Sequence, residues 1–125
     1  MMRSLIAALS AALIAAAPQA PAPSPMDGDW IVDLTAKAGD PPYRQPMTLT
    51  LAADGTVRGS FYRSTIEAGR WKSDRGRTCV SFRTSDGKGP YHTAACLVGD
   101  GLQGQTWAEH RNFLFNWNAT RGTLR

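Results

Sequence analysis

"CVSFRTSDGKGPYHTAAC", residues 79 to 96, holds both cysteines of the 125-residue chain, one at each end. Counted outward from Gly87 and Lys88, Ser85 faces Pro90, Phe82 faces Thr93 and Cys79 faces Cys96. Apolar and polar residues alternate along both arms, and Ser-Asp-Gly-Lys-Gly between them is turn chemistry. The stretch reads as a β-hairpin with the cysteines as register partners. Val80 and Phe82 then share a face with Thr93 and Ala95, and the thiols lie on the other face. A disulfide is expected there, outside the core, provided the compartment is oxidising. A metal site would want further ligands at suitable spacing, and the chain has only His92 and His110, so no metal is expected.

The N-terminus speaks to the compartment. "MMRSLIAALSAALIAAAPQA", residues 1–20, has one positive charge at Arg3, then an apolar run from Leu5 to Ala17, then small residues. That order is expected of a signal peptide, and the run is short for a membrane span. The small-x-small positions at Ala17, Ala20 and Ala22 each precede a proline. Cleavage after Ala16 and retention as an anchor both stay open. A Pro-rich linker is read over residues 21–28 and one domain over residues 29–125. The expected location is periplasmic or secreted, in a bacterium, with no membrane span once the signal is removed.

The formal charge is +4, and 11 of the 14 basic residues are arginines dispersed among eight Asp and two Glu. No basic run marks a nucleic-acid partner. From Asp29 onward no ten-residue stretch shows helical apolar spacing, whereas period-two alternation recurs. Eight strands are read, over residues 29–36, 46–52, 56–62, 66–72, 78–84, 91–98, 102–108 and 113–120. Asp-Gly turns in "AADGT" at 52 to 56 and "GDGL" at 99 to 102 join neighbours tightly. Consecutive hairpins make a meander, and a meander of eight strands leaves two open edges unless it closes. The fold class expected is therefore all-β, a closed eight-stranded up-and-down antiparallel barrel.

Two motifs fit that closure. "GDW" at 28 to 30 and "WNATR" at 117 to 121 resemble the sequence marks of the calycin superfamily, which includes lipocalins, fatty-acid-binding proteins and avidins. The resemblance implies that Gly28 and Trp30 open the first strand and that Arg121 packs over the tryptophan at the barrel floor. "GDWIVDL", "ADGTVRGSF" and "WNATR" are each similar to an avidin segment in the same order. Where avidins place a ligand-binding Asn and Tyr, this chain has Val32 and Phe61.

With the first strand pointing up, the upper rim collects the long loop "AKAGDPPYRQ" (36 to 45), "RST", "SDGKG" and "EHRN". In lipocalins the long connection acts as a lid. The rim brings Tyr43, Arg44, Arg63, Arg83, Tyr91, His92, His110 and Arg111 near the mouth. Such a cationic ring over an apolar interior would suit an amphipathic ligand with an anionic head. Small residues expected inside, Gly59, Ala68, Ala95 and Gly104, would leave the room. His110 beside Glu109 invites a general-base reading, but no Ser or Cys nucleophile is placed near them, so no catalytic residue, no cofactor and no enzymatic activity are expected.

The first expectation is thus a lipocalin-like barrel binding a small apolar or amphipathic molecule. The alternative is a protein-interaction module of the protease-inhibitor kind, with Trp71 and Trp107 on the outside serving a protein partner or a homo-oligomer. If the register of their strands is off by one, the same tryptophans line the cavity.

Overall fold

The computed structural model describes position 10 and residues 24–124. The expected signal segment, residues 1–20, and the start of the linker fall outside those residues, apart from the single position. The described chain forms β1 (Gly28–Asp33), β2 (Arg44–Leu51), β3 (Thr56–Phe61), a two-residue β4 (Ser64–Thr65), β5 (Glu67–Asp74), β6 (Arg77–Ser85), β7 (Pro90–Val98), β8 (Gly101–Ala108) and β9 (Phe113–Arg121). A single 3-10 turn, Glu109–Arg111, joins the last two strands.

Each full strand pairs antiparallel with its neighbours, and β3 pairs back onto β2. The eight full strands therefore close into an antiparallel barrel, compatible with a calycin-like fold, and β4 is a short hairpin on the edge of β3. Closure removes the sheet edges that an open meander would expose. The β6–β7 register runs from Cys79↔Cys96 through Phe82↔Thr93 to Ser85↔Pro90, as the symmetry of the stretch requires. A disulfide joins Cys79 to Cys96. It sits on the face opposite the buried Val80, Phe82, Thr93 and Ala95. That bond, and the absence among the described residues of any helix long and apolar enough to cross a membrane, are compatible with a periplasmic or extracellular protein.

The barrel floor begins earlier than the sequence suggests. Met26, inside the segment read as linker, is fully buried, and its carbonyl accepts a 2.9 Å hydrogen bond from Trp30 Nε1. Asp27 turns the chain, its N–H donating to the Ser24 carbonyl and its Oδ1 accepting from the Leu51 N–H. Proline stiffens this stretch without keeping it away from the core. Arg121 crosses beneath, stacked on Trp30 and donating to the carbonyls of Asp27 and Pro25. Gly28 makes that passage workable: its φ is +116°, and a Cβ there would lie 3.1 Å from the Arg121 guanidinium.

Around and above Trp30 the interior fills with Val32, Met47, Leu49, Val57, Val80, Leu102 and Ala119. Next comes an aromatic layer in which Phe61 meets Phe82 and Trp117 at ring distances of 6.2 and 5.6 Å. The small residues expected to leave room do not do so. Ala95, Gly104 and Trp117 lie side by side on β7, β8 and β9, and the indole occupies the space over Gly104. Gly59 is pressed against the β2 backbone at Thr48, and Ala68 is exposed.

Ala68 marks the largest departure from simple alternation. Its φ of 52° and the register shift between Glu67 and Arg70 form a bulge, which re-aims the strand that follows. Trp71 consequently packs half-buried against the core and donates its indole N–H to the Ala52 carbonyl at 2.7 Å. Trp107, on the regular β8, points outward and is 38% exposed. The two tryptophans expected to act together are on different sides of the wall.

Candidate functional site

Above the aromatic layer the barrel is open. A cavity of about 570 Å³ is bounded by Leu34 from the end of the first strand, Tyr43 from the long loop, Phe61 and Tyr62, Thr84 and Tyr91 from the β6–β7 hairpin, Thr106, and Phe113 and Phe115 of β9. Ala36 of the long loop also lines it, as do Ser64, Ser85, Asp86 and Arg111. The wall is mainly apolar. Phe113 and Phe115 stack nearly parallel, 5.6 Å apart, while Tyr43 and Tyr62 meet edge to face across the opening at 6.2 Å. Deeper down, the Thr106 hydroxyl bonds to Thr93 and accepts from Trp117 Nε1, so the polar atoms under the cavity satisfy one another.

The rim is organised by Asp86. Its Oδ1 accepts the backbone N–H groups of Lys88 and Gly89 at 2.8 and 3.1 Å. Its Oδ2 accepts Arg111 Nε at 2.8 Å and the Tyr91 hydroxyl at 2.9 Å, with His110 Nε2 at 3.3 Å. The Lys88 N–H above all, then Arg111, Tyr91 and His110, hold the Asp86 carboxyl well below the usual carboxylate range despite partial loss of solvent. Burial first, and the bond to Asp86 second, push the Tyr91 phenol up. The same carboxylate raises Arg111 further and keeps it ionised. One side chain thus ties the β6–β7 turn to the β8–β9 connection.

The mouth candidates divide into two groups. Tyr43, Tyr91 and Arg111 line the cavity. His110 stands just behind, edge-on to Tyr91 with ring centroids 5.3 Å apart. Arg44, Arg63 and Arg83 do not border the cavity. Arg44 opens β2 opposite Asp33, and Arg63 sits in the exposed turn with a φ of 64°. Arg83 alternates with the buried Phe82 and Thr84, so it points outward and pairs with Glu67 at 3.4 Å. His92, opposite Arg83 in the register, shares that outer face. The expected ring of cations is therefore not assembled: strand alternation sends Arg44 and Arg83 outward, Arg63 sits in an exposed turn, and Asp86 pairs with Arg111.

Asp86 is the residue that sequence reading passed over. Within "SDGKG" it reads as a turn former, and its service to the turn is real, since both N–H bonds at Oδ1 are of that kind. Phe113 and Phe115 share the inward face of β9 with the buried Trp117 and Ala119, yet Phe113 is 39% exposed at the cavity lip. Among the described residues no group of three or more His, Cys, Asp or Glu could hold a metal ion.

No family model, no curated protein and no solved structure matches the chain.

Proposed function

We propose that this chain is an exported barrel of calycin type that binds a small apolar or amphipathic molecule in its mouth. The observation that carries the reading is the cavity itself, about 570 Å³ with a mainly apolar wall and a few polar groups at one edge. Binding sites for small molecules are typically concave, apolar and roughly 300–1,000 Å³ in volume. The superfamily assignment draws its support from closure of the eight strands and from the Trp30–Arg121 pair at the floor. Export draws its support from the signal-like N-terminus and the disulfide. Catalysis forms no part of the proposal, because the Asp86 cluster spends its hydrogen bonds on bracing the rim.

A second reading has one observation in its favour. Trp107 and Leu114 are cross-strand neighbours on the outer face, 38% and 58% exposed, and would suit a protein partner or a second copy of the chain.

The test is native mass spectrometry of protein purified without detergent from its own exported fraction, followed by organic extraction. A defined co-purifying molecule is expected. An empty barrel whose fluorescence no added small molecule alters would end the ligand-binding reading. A Trp107-dependent complex would then favour the second.

A further inference from the structure

Charge and depth narrow the ligand class, on the basis of the binding reading above. We infer that the mouth takes a compact, uncharged aromatic molecule, held on ring faces, and not an acyl chain with an anionic head.

Charge comes first. Among the described residues, Asp86 and Arg111 are the only Asp, Glu, Lys or Arg side chains lining the cavity, and they compensate each other at 2.8 Å. A ligand carboxylate approaching the outer nitrogens of Arg111 would also approach Asp86. That carboxylate is anchored by two backbone N–H groups and the Tyr91 hydroxyl, so it cannot swing away. The cations that could have outweighed it, Arg44, Arg63 and Arg83, do not border the cavity. Partners for an uncharged ligand are on hand instead: the Ser64 and Thr84 hydroxyls in the wall, and Arg111 nitrogens suited to a phenol or carbonyl oxygen.

Shape comes second. Along β6 the cavity reaches Thr84 but not Phe82, the next inward residue, and along β9 it reaches Phe115 but not Trp117. One inward step is two residues of strand, about 7 Å, so the aromatic layer stops the cavity a step or two below the rim. A long flexible chain would have to coil in that bowl, and ordering its bonds costs affinity. A rigid ring system loses little on binding and would meet Tyr43, Tyr62, Phe113 and Phe115 at their faces and edges.

Three probes separate the terms: 2-naphthol, its charged relative 2-naphthoate, and dodecanoate, each titrated calorimetrically into the purified protein at neutral pH. The expected order places 2-naphthol tightest, by about ten-fold over each of the others, the ratio that corresponds to ~1.4 kcal/mol. Phe113→Ala and Tyr43→Ala, both at exposed lip positions, should each weaken 2-naphthol several-fold, while Trp107→Ala on the outer wall should not. Circular dichroism confirms that each variant is folded, and either lip variant alone suffices. Tighter binding of 2-naphthoate or dodecanoate would overturn the uncharged-aromatic inference and leave the binding barrel standing. Binding of 2-naphthol that ignores both lip variants would overturn it too. Failure of all three probes to bind would remove both.

Discussion

Arg121 lies across Trp30, its guanidinium carbon 4.3 Å from the ring centroid, and the two residues are paired in register between β9 and β1. The contact seals the place where the first and last strands of the barrel meet. Removing Trp30 empties a fully buried site, so Trp30→Ala should cost about 3–5 kcal/mol. Arg121→Ala loses the stacking and two charge-assisted hydrogen bonds to carbonyls, an expected cost of about 1–3 kcal/mol. Urea denaturation measures both, and a tryptophan variant as stable as the parent would refute the floor assignment.

The Cys79–Cys96 bond closes a loop with a sequence separation of 17. Chain-entropy arguments give such a loop about 3 kcal/mol of stabilisation, mostly through restriction of the unfolded state. Reduction should lower the urea midpoint accordingly and leave the far-ultraviolet spectrum of the folded barrel unchanged. Free thiol in the protein as isolated would contradict the pairing.

Gly104 lies beneath the Trp117 indole, and even a Cβ there would overlap the ring. Gly104→Val is therefore expected to destabilise by about 1–3 kcal/mol, although valine is the better strand former. A thermal melt decides the matter, since a gain in melting temperature would mean that the indole is free to move aside.

Asp86 makes acid stability asymmetric. Its folded pKa lies below the ordinary value of 3.8, so its contribution is fully present above about pH 4 and is lost as pH falls through the folded value. Asp86→Asn should lower stability at neutral pH and flatten the acid limb of the stability profile. Parallel acid limbs for variant and parent would show that the carboxylate is not held as described.

The parts legible in the sequence are those governed by local rules. Alternation and a Gly-rich turn determine the pairing of Cys79 with Cys96, and the same alternation puts Trp30, Val32, Met47 and Leu49 inside. The parts that escaped depend on what a neighbouring strand does. Gly104 reads as empty space until Trp117 is seen lying on it. Alternation alone leaves Trp71 open to either face, and the bulge at Ala68 is what turns it in. Met26 lies in a Pro-rich stretch that looks like a spacer, and its burial comes from the way Arg121 gathers the carbonyls around it. Asp86 carries a turn signal strong enough to hide its second task, which needs Arg111 from 25 residues away.

The aromatic layer of Phe61, Phe82 and Trp117 divides the labour of the chain. Most of the residues that keep the molecule folded lie below it, and most of those that could meet a guest lie above. Lip positions such as Tyr43, Tyr62 and Phe113 are therefore open to replacement with little penalty to folding. A lineage, or an engineer, could change what the bowl accepts while leaving the scaffold beneath it intact.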